Sequence, residues 1–168
     1  IGDEPFAIFL PDEFMVGSPG CIKQMVDAYA KVGGNIVAVD PVPEERVSSY
    51  GVIAPVSRDG RLIKMKGMVE KPKREDAPSN LFISGRYILQ PEIFDLLATQ
   101  EKGAGGEIQL TDAIARLKSR EAVYAFQYEG KRYDCGSKEG FLEATVELAL
   151  EHPQVGESFR EYLKTLSL

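Results

Sequence analysis

Glu70, Lys71 and Pro72 stand in a row after the run "LIKMKGMV", an acid, a base and a strand breaker where a strand must end. Neighbours in a regular strand face opposite sides of a sheet, so both side chains can enter one pocket only if the strand stops or twists there. Pro72 supplies a reason, since it removes a ladder donor and biases Lys71 to an extended conformation. The same three residues also fit a solvated edge strand on which charge and proline discourage pairing with another chain. Two further acids stand near strand ends. Asp12 follows "FAIFL" and Pro11, and Asp134 lies in "YDCGSKEG", beyond the strand "VYAFQY" and its turn. Brought together by a fold, the two would suit a hard divalent cation such as Mg2+, which takes oxygen ligands and keeps several waters. Each alone also fits a local role: Asp12 in a turn, Asp134 capping a helix that begins near Ser137. Tyr50-Gly51 can bring a bare backbone amide close to a ligand or simply bend a strand start. "KGAGGE" lacks phosphate-loop spacing and reads as a loop, and His152 beside Pro153 ends a helix. The sequence holds no Ser-His-Asp set, no HExxH and no metal-ligand cysteine pair.

The elements that must position these residues alternate between sheet and helix. "FAIFL" reads as a strand buried on both faces. Ile22, Met25, Val26, Tyr29 and Ala30 form one stripe of a helix that Gly33 and Gly34 stop. "NIVAVDPV" reads as a second buried strand, so residues 6 to 42 predict a βαβ unit with a right-handed crossover. "GVIAPV", "SRDGR" and "LIKMKGMVEK" predict an antiparallel excursion around an Asp59-Gly60 turn, exposed on the side of Lys64 and Lys66. "LFISGRYIL" is a strand. Pro91 opens a helix over "PEIFDLLATQ", and Thr111 is the expected N-cap of "DAIARLKSR". "AVYAFQYEG" is a strand, "SKEGFLEATVELALEH" a helix, and "ESFREYLKTL" a last short helix. The expected class is α/β, one layered domain over residues 1–168 with a mixed sheet. In such folds ligands gather beyond the carboxyl ends of the strands.

Composition narrows the function classes. The 168 residues, 43% hydrophobic and 27% charged, suffice for a packed globular core. A formal net charge of −6 argues against nucleic acid or an anionic membrane as partner. No apolar run reaches the roughly 20 residues of a spanning helix, and "IGDEPFAIFL" lacks the basic start of a secretory signal. Cys21 and Cys135 are too few for a disulfide scaffold, which makes a reducing cytoplasm the simpler expectation. The chain opens on Ile1 rather than Met and enters a strand almost at once, as the middle of a larger protein would.

"EPFAIFLPDEF", "YGVI", "MVEKPKREDAPSNLFISGRYIL", "GAGGEIQLTDAI" and "YDCGSKEGFLEATVELAL" occur in this order. Together they resemble the bacterial UTP-glucose-1-phosphate uridylyltransferase family of sugar nucleotidyltransferases over nearly the whole chain. The family's glycine-rich loop of the form GxGTRxxPxTK, which holds the nucleotide triphosphate, has no counterpart here, so the resemblance is to its C-terminal part. It implies a doubly wound, Rossmann-like α/β/α sandwich and a homo-oligomer. The implied chemistry is attack by a sugar 1-phosphate oxygen on the α-phosphorus of UTP, giving UDP-glucose and pyrophosphate. Such a transfer needs alignment of two anions and neutralisation of developing charge. By resemblance, Asp12 and Asp134 ligate Mg2+, Lys71 meets the sugar phosphate, and Glu70 accepts hydrogen bonds from glucose hydroxyls. Gly51, after Tyr50, makes a backbone contact to the sugar. With the triphosphate cradle absent, the isolated chain is expected to be inactive. Two other readings compete: a non-catalytic module that binds sugar phosphate or serves assembly, and transfer of another base or to another sugar.

Overall fold

Eight strands and five α-helices follow one another in the computed structural model, which describes residues 1–167. In chain order they are β1 (Phe6–Phe9), β2 (Glu13–Val16), α1 (Cys21–Val32), β3 (Asn35–Pro41), β4 (Gly51–Asp59), β5 (Leu62–Glu70), β6 (Leu81–Leu89), α2 (Ile93–Ala98), α3 (Leu110–Leu117), β7 (Val123–Gln127), β8 (Lys131–Asp134), α4 (Lys138–Glu151) and α5 (Gly156–Lys164). They form two compact units, Ile1–Leu10 with Gly17–Gly130, and Pro11–Val16 with Lys131–Leu168.

The larger unit is built on a six-stranded sheet in the order β1-β6-β3-β7-β5-β4. Among the described residues only β3 and β7 pair in parallel, and the remaining ladders of this sheet are antiparallel. The class is therefore mixed α/β, as the alternating pattern predicts. β3 is the strand whose composition is read most directly, with Asn35 through Val39 all buried. Its alternate residues serve two faces. Val37 and Val39 join Leu89, Ile93, Ile114 and Leu117 in the main core with α2 and α3. Ile36 and Ala38, equally buried, lie on the opposite face, and α1 packs against β3 and β6.

Several expectations are corrected. β1 and β3 are parallel to each other but do not touch, because β6 lies between them and pairs antiparallel with both. β1 is an edge strand that alternates half-buried and exposed residues, and Phe9 is 52% exposed, so it is not buried on both faces. The hairpin of β4 and β5 is no side excursion: β5 pairs with β7, and Val52 opposite Phe82 links β4 back to β6. Its outer residues are as expected, Lys64 and Lys66 exposed while Ile63 and Met65 are buried. Asp59 pairs with Leu62, which centres the tight turn on Gly60 and Arg61. α2 begins at Ile93, two residues past Pro91, an ordinary shift at a helix start.

The buried stripe of α1 is Cys21, Gln24, Met25 and Ala28, and Val26 is 47% exposed. Hydropathy misses this stripe because a polar residue anchors it. The Gln24 amide nitrogen donates to the carbonyls of Pro19 (2.8 Å) and Glu129 (2.7 Å). Its oxygen accepts from Arg61 and from the Glu129 amide, both at 2.9 Å. Every hydrogen-bonding position of the amide is used, which makes its burial tolerable.

The smaller unit joins β2 and β8 in an antiparallel two-stranded sheet, with Glu13 opposite Asp134 and Val16 opposite Lys131. α4 packs on β8 and α5 on α4. The Tyr133 hydroxyl donates to Glu147 of α4 at 2.8 Å, and Lys131 also reaches that carboxylate. The hydrogen bonds from Lys131 and Tyr133 hold Glu147 below the usual carboxylate range. α4 ends at His152, the role expected of that residue.

Both cysteines are free, Cys21 buried and Cys135 half-buried. Burial pushes the Cys21 thiol from 9.0 to about 11, against a lowering by Arg86 and with a smaller rise from Asp40. An unfolded thiol ionises first, so the folded state is favoured below pH 9 and loses that advantage as pH rises toward 11. At pH 8 a thiol reagent should label Cys135 and spare Cys21 until denaturant is added. Denaturant titrations should show stability falling between pH 9 and 11, with a shallower fall in Cys21→Ala. Rapid labelling of both thiols in the folded protein would contradict this.

Candidate functional site

β4 starts and β5 ends at one ladder position, Gly51 opposite Glu70. One residue further, the Lys71 amide donates to the Tyr50 carbonyl at 3.1 Å, and Lys71 takes a φ of +46°. Lys71 is thus left-handed, contrary to the extended conformation that Pro72 predicts. Its N–H stays tied to the neighbouring strand while Pro72 ends the ladder, so the chain must turn at this residue. The turn brings two consecutive side chains together, with Lys71 Nζ 3.7 Å from Glu70 Oε1. A regular strand would hold them on opposite faces. The glutamate side chain is only 13% exposed and the lysine 54%, so a recessed acid stands beside an accessible ammonium. This differs from a solvated edge strand, in which both charges would lie in water.

Thr111 completes the group. Its hydroxyl donates to Glu70 Oε2 at 2.7 Å. It is not the N-cap of α3: the helix begins at Leu110 after Gln109, and the hydroxyl turns to the acid instead. Gly51 leaves room for this carboxylate position. A Cβ there would lie 2.8 Å from Glu70 Oε2 and 3.3 Å from Thr111 Oγ1. Tyr50 contributes its backbone. Its ring packs on Phe82 with centroids 4.6 Å apart, its hydroxyl accepts from Arg46 at 3.0 Å, and its carbonyl holds the Lys71 amide.

The smaller unit carries the second group. Asp12 precedes β2 and Asp134 ends β8, and the Cys135 amide donates to the Asp12 carbonyl at 2.8 Å. A Cβ on Gly136 would lie 2.9 Å from Asp12 Oδ2 and 3.3 Å from Asp134 Oδ1. Both carboxylates thus converge on a cradle that a glycine leaves open. Asp134 does not cap α4 with its side chain. Ser137 does so, accepting from the Gly140 amide at 3.0 Å, while Asp134 supplies a carbonyl to the Ser137 hydroxyl, also at 3.0 Å. The Asp134 carboxylate is left to Arg132, 3.7 Å away, whose guanidinium also forks onto Glu13. Among the described residues no set of three or more His, Cys, Asp or Glu side chains gathers as a metal centre. Two carboxylates beside an open cradle still match a cation that retains waters and phosphate oxygens, as Mg2+ does.

Sequence reading missed Thr111, Gly136, Arg132 and Glu13. Thr111 lies within the "EIQLTDAI" motif, which was a usable signal, but a threonine before a helix is far more often a cap. Arg132 and Glu13 lie 119 positions apart, with no local pattern to join them.

Residues 1–151 match the nucleotidyl transferase family, and the chain belongs to that family. Over all 168 residues it is 47% identical to the UTP--glucose-1-phosphate uridylyltransferase of Staphylococcus epidermidis. It is 48% identical to UTP--glucose-1-phosphate uridylyltransferase 2 of Staphylococcus saprophyticus. It spans 58% of the length of each. A UDP-glucose pyrophosphorylase complexed with UDP-glucose superposes with a TM-score of 0.87 at 45% identity, covering 90% of this chain and 58% of that one. A UTP-bound UGPase from Acinetobacter baumannii gives the same score at 37% identity, covering 99% and 58%.

The left-handed backbone at Lys71 costs about 1–2 kcal/mol in any residue but glycine. Lys71→Gly should therefore be more stable than Lys71→Ala by about 1 kcal/mol in denaturant unfolding, although glycine normally lowers stability. Equal or reversed stabilities would refute the left-handed assignment.

Proposed function

We propose that this chain is the sugar-phosphate and metal side of a UTP-glucose-1-phosphate uridylyltransferase, which makes UDP-glucose and pyrophosphate in the cytoplasm. The observation that carries this reading is the Glu70–Lys71 pair, turned to one side by the Lys71 backbone. An anionic sugar needs a cation for its phosphate and an acceptor for its hydroxyls, and the pair offers both within one recess. Lys71 meets the phosphate of glucose 1-phosphate and offsets its repulsion from the second anion. Glu70, recessed and held by Thr111, accepts from the glucose hydroxyls, and Gly51 lets the sugar approach the backbone. Asp12 and Asp134 would hold Mg2+, which supplies charge neutralisation on phosphate oxygens when bound. The identities of 47% and 48% with uridylyltransferases favour uridine over another base and an enzyme over a non-catalytic module. Two free thiols accord with a reducing compartment. Self-association is part of the same proposal, supported by Phe141 and Leu142, 58% and 62% exposed on α4. Light scattering that finds only monomer would remove that part.

In the complete protein, Lys71→Ala should raise KM for glucose 1-phosphate about tenfold or more while UTP binding changes little. Equal losses for both substrates would count against the assignment. Asp12→Asn should shift the Mg2+ concentration for half-maximal activity upward by a similar factor, and an unchanged Mg2+ titration would exclude that ligand.

A further inference from the structure

Thr111 touches no substrate in the chemistry assigned so far, yet it lies closer to the Glu70 carboxylate than Lys71 does. Its hydroxyl donates to Oε2 at 2.7 Å, while Lys71 Nζ faces Oε1 at 3.7 Å. One carboxylate oxygen is thus held by a hydrogen bond from α3, while the other faces the Lys71 ammonium at ion-pair distance. A glutamate's terminal torsion is otherwise broad, so the Thr111 hydrogen bond sets where its remaining lone pairs point. Gly51 leaves the adjoining space open, bordered by Glu70 Oε2 and by both Oγ1 and Cγ2 of Thr111. Thr111 is itself fixed. It sits in the first turn of α3, which is anchored by the buried Ala113, Ile114 and Leu117. With the Glu70 side chain 13% exposed, water has little room to replace the hydroxyl.

We propose that Thr111 is a positioning residue for sugar recognition: its hydroxyl fixes the Glu70 carboxylate so that the free lone pairs meet the hydroxyls of the bound sugar. The proposal rests on reading this chain as the sugar-phosphate side of the transferase. It differs from a packing role, because valine would fill the same volume without the donor.

The test uses the complete protein with Thr111→Val, Thr111→Ser, Glu70→Gln and the double variant Glu70→Gln/Thr111→Val. Thr111→Val should raise KM for glucose 1-phosphate about tenfold or more and leave KM for UTP within about twofold. Thr111→Ser should restore the wild-type value to within about threefold, since it keeps the donor. Added to Glu70→Gln, Thr111→Val should cost nothing further, because both act through one carboxylate. An unchanged KM for glucose 1-phosphate, equal losses for both substrates, or additivity with Glu70→Gln would overturn the proposal. A second readout needs no substrate: the carboxyl carbon resonance of Glu70 should move in Thr111→Val and return in Thr111→Ser, and an unmoved resonance overturns the positioning. A wild-type protein that makes no UDP-glucose would instead defeat the functional reading, and the resonance would still decide whether Thr111 holds Glu70.

Discussion

One hydrogen bond, from the Lys71 amide to the Tyr50 carbonyl, governs the larger unit's polar group. It extends the β4–β5 ladder one residue past Glu70 and holds the chain while Pro72 forbids further pairing. The backbone answers with a positive φ at a lysine, a conformation of the kind that persists only where the surroundings over-determine it. Everything else in the group follows. The acid and the ammonium share a side, the acid lies within reach of Thr111, and Gly51 opposite leaves the carboxylate room that a Cβ would make it give up. Removal of the turn would return Glu70 and Lys71 to opposite faces.

The second group obeys the same economy in the smaller unit. The two short strands are bridged by Arg132, whose guanidinium faces both Glu13 and Asp134. Glu13 and Arg132 side chains are each 12% exposed, so their charges compensate each other largely away from water. That arrangement fixes the Asp134 side of the cradle, and the absent side chain of Gly136 keeps the space between the carboxylates open. In both groups a glycine matters for the room it leaves.

Legibility differed between elements for a physical reason. β3 was plain because a strand buried on two faces needs an unbroken apolar run. The β4–β5 hairpin was plain because its charges alternate with its core residues. β1 misled because an apolar run also occurs on an edge strand with one open face. The stripe of α1 misled because Gln24 is buried through four hydrogen bonds, which no hydropathy pattern records. β2 and β8 went unread, since four-residue strands that pair across more than a hundred positions leave no local period.

The sequence by itself singled out the candidate residues: Glu70 and Lys71 before a proline, Gly51 after a tyrosine, and two aspartates near strand ends. Residue type and motif order suffice for that, because chemistry is a property of side chains. Tertiary structure alone decided how they are aimed. Lys71 left the extended region, Thr111 gave its hydroxyl to Glu70 instead of a helix end, and Asp134 left the capping role to Ser137. The first two outcomes depend on partners distant in sequence, Tyr50 and Glu70, about which local propensity carries no information.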